Sequence, residues 1–117
     1  MGGLRIDYIE FGTGALAESK AFFARAFGWT FTDYGPGYAS FGGAGIDGGF
    51  DGGAGPQEPG ASPGVLVVLK TEDLAAAEKA VIAAGGAILK PAYGFPGGRR
   101  FHFREPGGNE LAVWSET

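Results

Sequence analysis

The chain contains no cysteine, a single histidine and a single methionine. Without thiols there can be no disulfide, zinc–thiolate site, iron–sulfur cluster or cysteine nucleophile, so stability must come from packing alone. One imidazole, His102, cannot share a metal ion with a second. Basic residues are also scarce: 9 Lys and Arg against 13 Asp and Glu leave a net charge of −4. They gather only at Arg99, Arg100 and Arg104, a poor footprint for nucleic acid or an anionic membrane surface. No apolar run approaches the roughly 18 residues of a spanning helix, and residues 1–12 lack a basic segment followed by an apolar one. The expectation is a cytoplasmic protein with no membrane or nucleic-acid partner. GxSxG, HExxH, P-loop and EF-hand patterns are missing too, so their chemistries have no support.

Glycine is abundant, 24 of 117 residues, but hydrophobic content of 44% is enough to build a core if the glycines are localised. They are concentrated in residues 42–64, which carry few bulky side chains besides Ile46 and Phe50. This stretch divides the chain into similar halves. In the first, Leu4 to Phe11 alternates like a half-buried strand. A helix comes next, with Leu16, Ser19, Phe23 and Phe27 on one stripe, Phe22 and Ala26 widening it, and Gly28 placed to cap its end. Strands are expected at Trp29–Asp33 and Tyr38–Phe41, with a short, weak one at Gly45–Phe50. The second half repeats the order: strand Val65–Leu69, helix Leu74–Ala84, and strands Ala87–Lys90, Arg99–Arg104 and Glu110–Trp114.

Leu16 and Leu74, Gly28 and Gly86, and Ile9 and Val67 are separated by the same 58 positions (74 − 16, 86 − 28 and 67 − 9). A fixed offset of this kind marks an internal duplication. The predicted fold is a single α+β domain, 1–117, of two tandem βαβββ modules: module one 4–50, a Gly/Pro-rich linker 51–63, and module two 64–116. Each module offers a four-stranded sheet with a helix on its outer face, leaving one sheet face uncovered. Two curved sheets meeting by those faces would enclose a cavity for a small molecule. The sequence leaves open whether the linker closes over it as a lid.

Strand parity sorts the side chains. Ile9 and Phe11 should pack on the helix, so Ile6, Tyr8 and Glu10 face the cavity; Leu66 and Val68 oppose Val67 and Leu69; and Glu110, Ala112 and Trp114 face inward opposite Leu111 and Val113. A carboxylate at Glu10, if desolvated, suits proton abstraction or capture of a cationic ligand; a polar network with Tyr8 or an arginine is the equal alternative. Asp47 and Glu110 are placed to join it. His102 is a candidate acid/base between Phe101 and Phe103, or simply a hydrogen-bonded strand residue. Arg100 is a candidate anion binder, and Trp29, Trp114 and Tyr8 a candidate aromatic wall. The ligand-binding set is therefore Tyr8, Glu10, Trp29, Asp47, Arg100, His102, Glu110 and Trp114, with no metal and no cofactor. Gly43-Ala-Gly45-Ile-Asp-Gly48 matches GxGxxG, but the next residues, Phe50-Asp-Gly-Gly-Ala-Gly-Pro56, cannot form the helix that would receive a pyrophosphate, so the match reads as a glycine-rich hairpin or loop. It also partly matches one turn of a calcium β-roll, without the stacked copies such a roll needs.

Three phrases in order resemble the vicinal oxygen chelate superfamily, the glyoxalase, bleomycin-resistance and dioxygenase group. They are Leu16-Ala-Glu-Ser-Lys-Ala-Phe-Phe-Ala-Arg-Ala-Phe-Gly-Trp29, Glu72-Asp73-Leu74 through Gly85-Gly86, and Arg104-Glu-Pro-Gly-Gly-Asn-Glu-Leu-Ala-Val-Trp114. The likeness spans nearly the whole chain apart from 51–62 and is similar to the small, uncharacterised lactoylglutathione lyase-related type. It implies paired βαβββ modules, and often a homodimer. In metal-using members the resemblance would put ligands at Tyr8, Leu66 and Ala112, and two of these have no donor side chain. What it implies is a metal-independent small-molecule-binding protein that sequesters a drug or metabolite, with the charge of −4 favouring encounter with a cationic one. The alternative is a glyoxalase-like lyase or isomerase with Glu10 as base and a non-standard metal site or Arg100 stabilising an enolate.

Overall fold

The computed structural model describes residues 6–55 and 65–117. Leu4, Arg5 and linker residues 56–63, with any lid role for them, lie outside the described residues. The elements are β1 (Tyr8–Gly12), α1 (Leu16–Phe27), β2 (Thr30–Asp33), β3 (Tyr38–Gly42), β4 (Asp47–Asp51), β5 (Val67–Lys70), α2 (Leu74–Ala83), β6 (Ala87–Phe95), β7 (Gly98–Arg104) and β8 (Glu110–Ser115). They form two four-stranded sheets, ordered β1-β4-β3-β2 and β5-β8-β7-β6, the duplicated βαβββ unit. In each, the first strand runs parallel to the last and the other pairs are antiparallel.

Local chemistry sets the helix ends. Gly28 takes a left-handed conformation, φ 74°, and its N–H closes α1 on the Ala24 carbonyl. That conformation is cheap only without a Cβ. Asp73 caps α2 by accepting from the Ala76 N–H. Two strands differ from expectation. The segment expected to be short and weak, Gly45–Phe50, is β4, held between β1 and β3. The strand expected to stop at Lys90 continues through Pro91 to Phe95, with register shifts at Lys90 and Tyr93. Proline is tolerated because β6 is an edge strand.

The alternation rule sorts the sheets as expected: Phe11, Phe41, Phe50, Val67, Leu69, Leu111 and Val113 pack into the core. The two open faces do not meet within the chain, however. Both apolar faces converge on the helices, which touch each other. A single aromatic core runs through both modules: Phe22 of α1 lies 5.6 Å from Phe103 of β7 and 5.0 Å from Phe23, which in turn packs on Phe50 and stacks on Trp29. Each helix thus turns its apolar stripe to that shared core and leaves its other side, with Glu18, Arg25, Lys79 and Ile82, exposed, and the sheet faces opposite the helices look away from the core. The sequence pattern sorts each strand's faces but is indifferent to which faces two sheets share.

One buried polar cluster joins the modules where a helical stripe called for Ser19. The Glu105 side chain, 1% exposed, accepts hydrogen bonds from Ser19 Oγ (2.8 Å), the Gly107 N–H (2.6 Å), the Asn109 N–H (3.3 Å) and Asn109 Nδ2 (2.8 Å). Ser19 Oγ also bonds Thr13 Oγ1 at 2.7 Å, and Asn109 Nδ2 reaches the Gly12 carbonyl. The duplication places Thr71 and Ala77 where the first half has Thr13 and Ser19, and the local turn is the same: Ala15 N–H donates to Thr13 Oγ1 at 3.1 Å, Asp73 N–H to Thr71 Oγ1 at 3.2 Å. At this second junction Ala77 and the Gly43-Ala44 turn supply no polar side chain. A cleft of about 540 Å³ is found there instead, lined among others by Phe27, Ala44, Thr71 and Ala77.

Candidate functional site

The face of the first sheet away from α1 brings together Tyr8 and Glu10 of β1 with Tyr38 of β3. β4 lies between them, and Gly49 presents only hydrogen there: a Cβ at 49 would sit 2.7 Å from the Tyr8 hydroxyl and closer still to that of Tyr38. The two phenols hydrogen-bond each other across this gap. Burial, then the Tyr8 hydrogen bond, then the hydrogen bond and charge of Glu10, hold the Tyr38 phenol well above its usual range. Its neutral form is thus favoured by folding; the stabilisation is complete below the ordinary phenol pKa of about 10 and is lost as pH rises through the raised value. Ultraviolet titration should show one tyrosine ionising after the others, and Tyr38→Phe should remove that last step. Glu10 is exposed rather than enclosed between the sheets. Asp47, also exposed, pairs with Tyr8 at the start of β4.

The corresponding face of the second sheet carries a hydrogen-bonded row. His102, 3% exposed, places Nδ1 3.0 Å from Glu110 Oε2 and Nε2 3.1 Å from the Tyr93 hydroxyl. Arg100 Nε donates to that hydroxyl at 2.5 Å. The Glu110 carboxylate only accepts, so Nδ1 carries the proton donated to it; with neutral imidazole, Nε2 then accepts from the Tyr93 hydroxyl, whose oxygen accepts from Arg100. The Arg100 guanidinium lies over the rings of Tyr93 and Phe95, at 5.6 and 5.7 Å. Trp114 stands 6.1 Å from Phe95, and Lys70 Nζ lies over its ring at 5.1 Å. Val68, Phe95, Arg100 and Trp114 border a hollow of about 220 Å³.

Of the residues singled out in sequence, Arg100, His102, Glu110 and Trp114 share this face and Tyr8, Glu10 and Asp47 the other. Trp29 is brought to neither: it is 7% exposed, stacked on Phe23 at 4.6 Å. Tyr38, Tyr93 and Phe95 were missed. Pro91, Gly94 and Pro96 read as breakers, yet Tyr93 and Phe95 are two apart across a tight turn from Arg99–Arg104, the spacing of a hairpin face.

Residues 5–113 match the sequence profile of the Glyoxalase/Bleomycin resistance protein/Dioxygenase superfamily, and the chain belongs to it. Solved structures agree on the fold. A glyoxalase/bleomycin resistance protein/dioxygenase family enzyme from Burkholderia phytofirmans PsJN superposes with a TM-score of 0.76 at 15% identity, covering 95% of this chain and 98% of that one. A glyoxalase-related enzyme from Fulvimarina pelagi gives 0.76 at 21% identity, covering 95% and 87%. TnmS3, an antibiotic binding protein from Streptomyces sp. CB03234, gives 0.70 at 20% identity, covering 100% and 99%. No curated protein sequence matches the chain.

The metal that some superfamily members would hold does not fit these residues. At the three corresponding positions Leu66 and Ala112 offer no donor, and the Tyr8 hydroxyl is engaged by Tyr38. Among the described residues no three His, Asp or Glu side chains gather as a ligand set.

Proposed function

We propose that the chain is a metal-independent small-molecule-binding protein of the cytoplasm, sequestering a drug or metabolite on its open sheet faces. The observation that carries this reading is the row Glu110–His102–Tyr93–Arg100. It is preorganised by hydrogen bonds beside half-buried aromatic side chains, while the equivalent metal positions are apolar or engaged by Tyr38. The antibiotic-binding neighbour supports the same class of activity.

We further propose that two copies pair, so that the open first-sheet face of one covers the open second-sheet face of the other. Both faces are open in the single chain, and such a pairing would cover the side chains on them, Tyr38 on the first and Val68, Phe95 and Trp114 on the second. Pairing would supply the enclosure that one chain lacks. Light scattering should return twice the chain mass. Titration with a panel of antibiotics, including a cationic glycopeptide, should move the Trp114 indole resonance equally with and without a chelator. Binding that vanishes on chelation and returns with Zn, Ni or Mn would overturn metal independence. Absence of binding to any member of the panel would count against the sequestering role.

A further inference from the structure

We infer that the hollow on the second sheet recognises a small aromatic carboxylate. This rests on the small-molecule-binding reading and specifies its ligand. Net charge argues for cationic ligands, but the local charge here is of the opposite sign. Arg100 is half-buried, and among the described residues no carboxylate pairs with it. Its Nε is spent on Tyr93, and the guanidinium lies over the rings of Tyr93 and Phe95. The terminal N–H groups make no hydrogen bond to the described residues, so a flat, oriented donor edge remains. That edge fits the two oxygens of a carboxylate, and it is pinned before any ligand arrives, which lowers the entropic cost of binding.

The rest of the hollow sets the ligand body. Phe95, Trp114 and Val68 provide apolar walls around about 220 Å³, room for a single ring of a ligand. Lys70 beside Trp114 adds a second positive charge, though it also pairs with Glu116 at 3.3 Å. The nearest acid in the row, Glu110, is engaged by His102, and Tyr93 stands between that pair and Arg100. The row therefore holds Arg100 in place without neutralising it, and Tyr93 is its positioning residue.

The experiment is a nuclear magnetic resonance titration of the whole chain with benzoate, benzamide and benzylammonium, three probes of one shape and three charges. Benzoate should shift the Trp114 indole and Arg100 side-chain signals. Benzamide should bind about tenfold more weakly or worse, as expected when a charge-assisted pair is replaced by a neutral one. Arg100→Gln should erase that preference, and Arg100→Lys, which keeps charge but loses the stacked fork, should recover only part of it. Unchanged ring-shifted core signals from Phe22 and Phe103 would show that the variants fold. Equal binding of benzoate and benzamide, or tightest binding of benzylammonium, would overturn the carboxylate assignment and leave the broader function standing. If none of the three binds, the assignment falls alone, provided the antibiotic titration succeeds.

Discussion

Replacing Glu105 with alanine is expected to destabilise the protein by about 3 kcal/mol or more, because it strips the acceptor from four buried donors at once. For a chain of this size that is a fall in melting midpoint of roughly 4 °C per kcal/mol. Glu105→Gln separates packing from hydrogen bonding. It has the same shape, but one carboxylate oxygen accepts from Ser19 and Gly107 and the other from Asn109 twice. Either amide orientation turns an NH₂ group toward two donors. The glutamine variant should therefore be nearly as damaged as the alanine one. Thermal and urea denaturation check this; a near-wild-type midpoint for Glu105→Gln would mean that the carboxylate only fills space.

The second large effect is expected at Gly48→Ala. A Cβ there would fall within 2.8 Å of Phe41 Cε1 and closer still to the Ile9 carbonyl oxygen, which is backbone and cannot rotate away. Relief requires β1 to separate from β4, so the cost should reach or exceed the ~3 kcal/mol upper range for overpacking. A lowered urea midpoint accompanied by faster amide exchange in β1 is the expected signature. A change under about 1 kcal/mol would show that the first sheet yields easily.

These two positions also show how far the sequence could be read. The repeat spacing, the helical stripes and the two-residue alternation are local regularities, and they placed Phe11, Phe23, Leu111 and Val113 correctly in the core. Gly48 and Gly49 looked like weak strand because a glycine carries no pattern. Their role is to admit the Phe41 ring on one side and the Tyr8–Tyr38 pair on the other, a long-range fact absent from residues 45–50 themselves. Ser19 was legible as a stripe position, but its partner lies 86 residues away. The candidate site divides similarly. Glu110, Ala112 and Trp114 fall on one face by parity, and Arg100 and His102 join it through the β7–β8 register that pairs them with Trp114 and Ala112. Tyr93 and Phe95 could not be placed by parity, because the bulged continuation of β6 past Pro91 shifts the register on which parity depends. Which faces the two sheets would share was beyond any strand-by-strand rule, since either arrangement satisfies the same alternation.

The inequality of the two inter-module junctions has a mechanical consequence. Thr13, Ser19, Glu105 and Asn109 bind the halves along one margin, like the spine of a book, whereas at the margin of Ala44, Thr71 and Ala77 no such side-chain cluster joins them among the described residues. Loss of the Glu105 cluster should therefore loosen the halves along that margin, while the aromatic packing of Phe22 and Phe27 on Phe103 still joins them.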